Sequence, residues 1–304
     1  MSAGCAEMRK PRKIETLFIS ARPAMNRTCF IFISSTISVL LLLSATAFAQ
    51  KETKEIRIDG STTVGPIVDA FVEHYAKESP ELKFSVKKTG SGDGAAALIE
   101  GRCEIASMSR FMKQEEFKKM VDAGKMPVPF TICMDGVCLI VHPSNPVKEL
   151  TKEQTRKIYT GKITNWKEVG GPNLPIVTIS RDSSSGTYEV FHQLVLDSEP
   201  LAANVEYANS NPQVFTRVST TPGAIGYVGL GFMKTGAKGL RYEGVMPSKT
   251  TIVNGKYKIA RPLFLFTNGY PEPGSPLYNF CNFFLSEKGQ EIITSKGFVP
   301  LTNY

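Results

Sequence analysis

The sequence has few of the residues that catalytic and metal sites usually require. Its 304 residues include three histidines, six cysteines and one tryptophan. No pair of cysteines has the C-x-x-C spacing of a zinc ribbon, and the chain contains neither a G-x-x-x-x-G-K-S/T nucleotide loop nor a G-x-S-x-G nucleophile elbow. Glu189 and His192 have the spacing of half a dimetal site, but the motif is not repeated. We therefore expect no catalytic residues, no metal ligands and no cofactor.

Excess positive charge is small once the first 49 residues are set aside. The whole chain has 36 Lys and Arg against 28 Asp and Glu. Residues 1–49 contain six of the basic and two of the acidic residues, so 30 and 26 remain, a net charge of +4. The remaining basic residues form no stripe with interleaved aromatic residues, which argues against a nucleic-acid partner.

Residues 1–49 have the pattern of a secretory signal peptide. Basic residues precede the apolar run CFIFISSTISVLLLLSATAFAQ, in which Ala47 and Ala49 have the A-x-A arrangement of a cleavage site. We expect an exported protein that is cleaved after Ala49, with Met25 as a second candidate start. A retained transmembrane helix is the alternative, because the run could almost span a bilayer.

Export bears on the cysteines that remain after cleavage. These are Cys103, Cys133, Cys138 and Cys281. Four cysteines in an exported chain permit one or two disulfides, and the sequence does not choose among the three pairings. Cys133 and Cys138 could pair only if the MDGV segment between them turned sharply.

Apolar strands and amphipathic helices alternate along the mature chain. Up to Pro143 the order is typical of a mainly parallel sheet with helices on both faces. The alternation then repeats, with a hairpin or bulged strand predicted around Asn254 and Gly255, and one terminal helix starting at SPLYNF. Two α/β lobes of about a hundred residues each fit this length, and one continuous sheet is the alternative.

Three loops rich in hydroxyl groups and glycine each lie between a predicted strand and a predicted helix, at residues 60–63, 89–94 and 183–187. Backbone N–H groups at a helix N-terminus, together with the helix dipole, favour an anion. The carboxyl ends of parallel strands lie on one side of a sheet, so the three loops can converge. Any one of these loops alone is more typical of an ordinary N-cap.

Arg181 ends the apolar strand before the third loop. Its guanidinium group is a planar fork that matches pairs of anion oxygens. A surface salt bridge to Asp182 or Asp93 is the alternative, but the end of an apolar strand is an unusual place for a solvated charge. We therefore expect Arg181 to bind an anion.

Seven segments, taken in order, make the chain recognisable. They are DGSTTVGPIVDAF, TGSGDGAAALIEG, IASMSR, DGVCLIVHPSNP, IYTGKITNWKEVGG, SRDSSSGT and PGAIGYVGL. Together they resemble the periplasmic phosphate-binding proteins of ABC importers, and in particular the shorter branch of that family. The resemblance extends from Ile56 to the C-terminus, and GKITNW combined with R-x-x-x-S-G-T is its most specific part.

The resemblance implies a two-lobed α/β protein of the type II periplasmic binding fold, with mixed sheets flanked by helices and a ligand cleft between the lobes. Residues 50–138 and 260–304 would form lobe one, and residues 139–259 lobe two. Ser61 of the first loop is a candidate for contact with phosphate, together with the residues that the resemblance carries over by position. Those are Thr62, Thr63, Ser91, Arg181, Ser185, Gly186 and Thr187.

One position departs from the longer relatives, which have an aspartate where this chain has Ser109. That aspartate accepts the proton that phosphate carries near neutral pH, whereas a proton-free anion such as sulfate meets only repulsion there. Asp135 is our candidate for a replacement acceptor, and a turn residue of the Asp-Gly type is the alternative. Ser109 stays a candidate ligand contact, and Arg110 either pairs with Asp135 or adds positive charge to the cleft.

The resemblance thus implies a monomeric periplasmic protein that captures inorganic phosphate and delivers it to a membrane ABC permease. Two alternatives stay open. The first is another tetraoxo anion, namely sulfate, molybdate or tungstate. The second is an exported phosphate-ester hydrolase, which has little support because the sequence contains no metal cluster and no activated nucleophile.

Overall fold

Strands and helices alternate along residues 55–302, the part of the chain that the computed structural model describes. The strands are β1 (Glu55–Gly60), β2 (Lys83–Val86), β3 (Ile105–Met108), β4 (Pro127–Val141), β5 (Glu149–Leu150), β6 (Val177–Arg181), β7 (Glu206–Ala208), β8 (Ala224–Gly229), β9 (Lys238–Gly239), β10 (Arg241–Tyr242) and β11 (Ala260–Asn268). The α-helices are α1 (Gly65–Glu78), α2 (Ser91–Glu100), α3 (Gln114–Asp122), α4 (Lys152–Tyr159), α5 (Gly186–Leu194), α6 (Asn211–Thr220), α7 (Lys249–Val253), α8 (Pro276–Asn282) and α9 (Glu287–Ser295).

Nine strands form one hydrogen-bonded sheet in the order β2-β1-β3-β11-β4-β8-β6-β7, with β9 also paired to β4. At the two ends of this order the strands are parallel: β1 pairs with β2 and β3, and β6 pairs with β7 and β8. The two long central strands, β4 and β11, are antiparallel to their neighbours. The mainly parallel order predicted from the alternating pattern therefore holds only at the ends, and the sheet as a whole is mixed.

Strand β4 pairs in succession with two neighbouring strands, one toward each end of the sheet. Residues 127–136 pair with β11, and residues 137–141 pair with β8. The partner changes between Gly136 and Val137, next to Asp135. The middle of β4 therefore lies where the two parallel groups of strands meet.

Helices pack on both faces of this sheet. Alternate residues of a strand point to opposite faces, and in β11 Leu265 belongs to one buried apolar cluster while Phe264 and Phe266 belong to another. The first cluster contains apolar side chains of α1, α6, α8 and α9, and the second packs α2 and α3 against β3 and β11. A third cluster, around Trp166 and Tyr227, includes apolar side chains of α4 and α5.

The segment around Asn254 and Gly255 is the end of a helix, so the predicted hairpin or bulged strand is wrong. Ser248 begins α7: its hydroxyl accepts a hydrogen bond from the Thr251 N–H at 3.1 Å, and its own N–H donates to the Thr251 hydroxyl at 2.9 Å. Gly255 follows the helix with a φ of +68°, the left-handed conformation that commonly ends helices.

The predicted terminal helix is also interrupted. Helix α8 ends at Asn282, a short 3-10 helix covers Phe283–Leu285, and α9 begins after Ser286. The Ser286 hydroxyl accepts a hydrogen bond from the Gly289 N–H at 3.0 Å. Ser286 therefore caps a new helix where the apolar pattern alone predicted a continuous one.

The predicted signal peptide, its cleavage after Ala49 and the candidate start at Met25 lie outside the described residues. None of the helices within residues 55–302 is both long enough and apolar enough to cross a bilayer. The cysteines at positions 103, 133, 138 and 281 are buried and unpaired. The disulfides that the sequence permitted are thus not formed, and Cys133 and Cys138 lie in one continuous strand, β4, without a sharp turn between them.

Candidate functional site

The first predicted loop joins β1 to α1 where two strands approach closely. Gly60 has a φ of +134°, and a Cβ atom at this position would lie 2.1 Å from the Ser107 carbonyl oxygen, so only glycine fits. The Ser61 hydroxyl accepts a hydrogen bond from the Thr63 N–H at 3.1 Å and closes the turn. The Thr62 and Thr63 side chains are buried just before α1 begins.

The second loop leads from β2 into α2 and meets the end of β3. The Ser91 hydroxyl accepts the Ser109 N–H at 3.0 Å and lies 3.2 Å from the Ser109 hydroxyl. A Cβ atom on Gly186 would lie 2.5 Å from Ser91 Oγ and 2.7 Å from Ser109 Oγ. The first residue of α5 therefore packs directly on both serines.

The third loop is hydrogen-bonded to the second. The Gly92 N–H, in the first turn of α2, donates to the Ser184 carbonyl at 2.9 Å. Asp182 Oδ1 accepts the Ser184 N–H at 3.0 Å and orders the loop. The Ser185 hydroxyl accepts the Tyr188 N–H at 3.2 Å and thereby caps α5. Two of the three predicted anion loops are thus in direct contact.

A buried cluster of hydroxyl groups joins the first loop to the third. Thr63 Oγ1 lies 2.9 Å from Thr187 Oγ1. Asn211, the first residue of α6, donates through Nδ2 to Thr63 Oγ1 at 2.9 Å and to Thr62 Oγ1 at 3.4 Å. Its Oδ1 atom accepts the Gly229 N–H at 3.1 Å. Asn211 therefore fixes the two threonines of the first loop relative to the end of β8.

A buried ion pair lies beside this cluster. Asp135 Oδ2 accepts from Arg261 Nε at 3.2 Å and from Arg261 Nη2 at 2.9 Å, and Oδ1 accepts the Leu230 N–H at 2.8 Å. Arg261 Nη2 also donates to Thr187 Oγ1 at 2.9 Å. Burial raises the pKa of Asp135, and the positive charge of Arg261 opposes this rise.

Two expectations for this region are corrected by the contacts. Asp135 lies within β4, so it is not a turn residue. Arg110 does not pair with Asp135; its two terminal nitrogens donate to Glu116 at 2.7 and 2.8 Å. Because both oxygens of Asp135 already accept hydrogen bonds, the residue is placed to hold Arg261. Its predicted role as acceptor of a ligand proton stays a prediction.

Arg181 is almost fully buried at the end of β6, with 1% of its surface exposed. Its Nε atom donates to the Ala208 carbonyl and its Nη2 atom to the Asn209 carbonyl, both at 2.9 Å. The distance from Nη2 to Asp182 Oδ2 is 3.7 Å, too long for a hydrogen bond. Burial lowers the pKa of Arg181; the charge of Asp182 opposes this effect and that of Arg261 adds to it. The predicted alternative is therefore met in part: Arg181 forms an ion pair with Asp182, but it is buried and not at the surface, and in the described structure it forms no ion pair with Asp93.

Two charged donors in this region lack partners. Nη1 of Arg181 and Nη1 of Arg261 are buried and have no hydrogen-bond partner among residues 55–302, and the same holds for Asp182 Oδ2. An unsatisfied buried polar group costs about 1–3 kcal/mol, and more if it is charged. The two guanidinium donors, together with the hydroxyl groups, suit an oxyanion, whereas Asp182 Oδ2 is an acceptor and opposes one.

The structure brings the sequence-predicted candidates into one continuous set. Thr63, in the same turn as Ser61 and Thr62, contacts Thr187, which follows Ser185 and Gly186, and Gly186 in turn contacts Ser91 and Ser109. Asp135 joins through Arg261, and Arg181 joins through the backbone of residues 208–209, just before Asn211. In the part of the chain described, no three His, Cys, Asp or Glu side chains gather as a metal site.

Asn211 and Arg261 are the two residues of this set that the sequence analysis missed. Asn211 is the middle residue of the Ser-Asn-Pro sequence that opens α6 after strand β7, which is the pattern used for the other three loops. Arg261 lies at the start of the apolar segment RPLFLFTN in β11. A charge at the end of an apolar strand was the reason to expect anion binding by Arg181, and the same reason holds for Arg261.

Comparison with known proteins agrees with this geometry. A family model described as a PBP superfamily domain matches residues 45–288. The chain is 34% identical over 289 residues to the phosphate-binding protein PstS of Staphylococcus saprophyticus, covering 89% of each chain. It is 35% identical over 263 residues to that of Borreliella burgdorferi, covering 83% of this chain and 92% of the relative. The chain belongs to the phosphate-binding proteins of the PBP superfamily.

Solved structures bear out the fold. A Clostridium perfringens crystal structure with bound phosphate, described as that of a phosphate ABC transporter substrate-binding protein, is 34% identical, with a TM-score of 0.75 over 82% of this chain and 100% of that one. An ABC-type phosphate transport receptor from Vibrio cholerae is 30% identical, with a TM-score of 0.66 over 80% of this chain and 99% of that one. The predicted fold class, an α/β type II periplasmic binding fold with a mixed sheet flanked by helices, is confirmed, and the division into two lobes stays a prediction.

Proposed function

We propose that this protein captures inorganic phosphate in a cleft between two lobes and delivers it to a membrane ABC permease. The observation that carries the proposal is the pair of buried guanidinium nitrogens without partners, one on Arg181 and one on Arg261, together with the contact of Arg261 with Thr187 of the hydroxyl cluster. Relatives named phosphate-binding protein PstS and a similar structure that contains phosphate support phosphate as the anion.

The proposed lobes are residues 50–138 with 260–304, and residues 139–259. The change of partner along β4, between residues 136 and 137, supports the first boundary, between residues 138 and 139, and β11 begins at Ala260, where the second boundary lies. With this division, the contact between Thr63 and Thr187 and the packing of Gly186 on Ser91 both join one lobe to the other.

Closure and binding would then be linked by the contacts themselves. Each lobe contributes part of the donor set, so only the closed arrangement surrounds the anion. A ligand that interacts more strongly with the closed form shifts the equilibrium toward it. Removing phosphate from water is costly, and preoriented hydroxyl and guanidinium donors offset that cost.

The proposed setting is the periplasm, after removal of residues 1–49, with the mature protein acting as a monomer and not as an enzyme. The relatives are binding proteins, which supports the last point. A hydrolase would need a metal or an activated nucleophile at the site, and the candidate residues are hydroxyl, amide and guanidinium groups that donate hydrogen bonds. Incubation with a chromogenic phosphate ester should release no product above the rate without protein.

The proposal is tested by titrating ligand-stripped mature protein with phosphate and then with sulfate in a calorimeter. We expect saturable binding of phosphate and much weaker binding of sulfate. Arg181→Lys should weaken phosphate binding at least tenfold, because lysine cannot reproduce the planar fork of arginine. Tighter binding of sulfate, molybdate or tungstate than of phosphate would transfer the proposal to that anion, and no binding of any of them would refute it.

A further inference from the structure

We propose that Arg261 is a second anion-binding cation of this site, held in place by Asp135. The inference rests on the proposed function and adds a donor to it. The resemblance of the sequence pointed to a single arginine, Arg181, whereas the structure shows a second buried guanidinium group, that of Arg261, in contact with Thr187 of the hydroxyl cluster.

The orientation of Arg261 follows from its hydrogen bonds. Nε and Nη2 form one edge of the planar guanidinium group, and both donate to Asp135 Oδ2. The second hydrogen of Nη2 donates to Thr187 Oγ1. In a planar fork, the edge shared by Nη2 and Nη1 therefore lies on the side of Thr187. Both hydrogens of Nη2 are already donated, so the free donor at this edge is Nη1, which can bind an oxygen of a tetraoxo anion next to Thr187.

The unpaired Nη1 atom of Arg261 indicates a ligand contact because it is buried. Arg261 is 3% exposed, and its Nη1 atom has no partner among the residues that the structure describes. A buried charged donor is normally paired, since leaving it unpaired is more costly than leaving a neutral group unpaired. Arg110 shows the usual solution, because Glu116 accepts from both of its terminal nitrogens. Arg261 keeps one terminal nitrogen available next to a residue of the proposed anion loop.

Asp135 has a positioning role in this arrangement. It occupies the Nε edge, and its other oxygen accepts the Leu230 N–H, so the carboxylate fixes the guanidinium plane relative to the segment after β8. Through Asp135 and Thr187, Arg261 contacts both proposed lobes: β4 contributes Asp135 and α5 contributes Thr187. A donor with these contacts is complete only in the closed form.

The test measures phosphate affinity by calorimetry for mature protein carrying Arg261→Lys, or Asp135→Asn together with Arg261→Met. The double variant removes both buried charges, so it avoids leaving one of them unpaired. Both variants should bind phosphate about 10- to 100-fold more weakly, the range for loss of a hydrogen bond to a charged group. Arg57→Lys, which alters an exposed arginine paired with Glu104 away from the site, is the matched control and should change affinity less than threefold.

A crystal structure of the wild-type protein with phosphate completes the test and does not depend on the folding of any variant. We expect a phosphate oxygen within hydrogen-bond distance of Arg261 Nη1. If wild type binds phosphate but Nη1 makes no contact with it and Arg261→Lys binds within threefold of wild type, Arg261 is structural and only this inference fails. If wild type does not bind phosphate at all, the proposed function itself fails.

Discussion

Gly186 offers the sharpest test of whether the predicted loops close on each other. It is the first residue of α5, and a Cβ atom there would lie 2.5 Å from Ser91 Oγ and 2.7 Å from Ser109 Oγ. Ordinary contacts of this kind are 3.4 Å or more, so an added methyl group would be about 0.9 and 0.7 Å too close to the two hydroxyl oxygens. Gly186→Ala should therefore prevent the observed approach of α5 to the serines.

The magnitude follows from the cost of overpacking a tight contact, about 1–3 kcal/mol. If this cost falls only on the closed form, phosphate affinity drops by about 5- to 140-fold. The open form should be unaffected, because alanine suits a helix at least as well as glycine does. Calorimetry with phosphate and a thermal melt without ligand measure the two effects separately. We expect weaker binding and an unchanged or slightly higher melting temperature.

The control is Gly65→Ala, which adds the same methyl group at the first residue of α1. There the nearest atoms belong to the flexible side chain of Lys88, so affinity should stay within about twofold. Combining Gly186→Ala with Ser91→Ala and Ser109→Ala gives a thermodynamic cycle in which the alanine at 186 should cost less, since the clashing oxygens are gone. Wild-type affinity in the single Gly186→Ala variant would refute the idea that these loops meet on binding.

Two further predictions concern stability and thiol chemistry. Asn211→Ala leaves the Gly229 N–H without its acceptor, so the free energy of unfolding in urea should fall by about 1–3 kcal/mol, and a loss below 0.5 kcal/mol would contradict this role. Burial raises the pKa of the Cys103 and Cys281 thiols to about 12, and that of Cys133 and Cys138 well above the usual value, so Ellman's reagent at pH 8 should label no cysteine of the native mature protein and all four in denaturant. Rapid labelling of the native protein would contradict it. The folded protein keeps these thiols protonated at a pH where the unfolded chain has lost their protons. The free energy of unfolding should therefore be unaffected by them below the pKa of an unfolded thiol, about 8.5, and decline as pH rises from there toward the folded values.

The local sequence pattern predicted most strands and helices because their apolar residues recur at regular spacing and turn or cap residues mark where each element ends. The alternating strands and helices predicted up to Pro143 are present from β1 to β4. The failures came from residues whose meaning depends on context. Asn-Gly at 254–255 is typical of a hairpin turn, but glycine with positive φ also ends helices, and the upstream Ser248 cap selects the second outcome.

The candidate site was predicted less completely because its decisive contacts are not local. Loops that begin helices are recognisable in sequence, so Thr63, Ser91 and Thr187 could be named. The pairing of Arg261 with Asp135 joins residues 126 positions apart and depends on β11 lying beside β4. No spacing rule indicates such a pair. For the same reason the sequence suggested Asp135 as an acceptor of the phosphate proton and did not reveal its ion pair with Arg261.

The buried charges of Arg181 and Arg261 link closure of the proposed lobes to binding of an anion. Asp135 neutralises Arg261, while Arg181 contacts only carbonyl oxygens at hydrogen-bond distance, and the charge of Arg261 lowers the pKa of Arg181. Asp182 Oδ2 lies 3.7 Å from Arg181 Nη2, so each arginine has a carboxylate near it, but the two guanidinium groups still repel each other in a region of weak screening. Under the proposed function, an anion bound by both arginines would offset that repulsion and pair both free Nη1 atoms. Closure without an anion would keep the repulsion, so we expect the closed form to depend on the ligand.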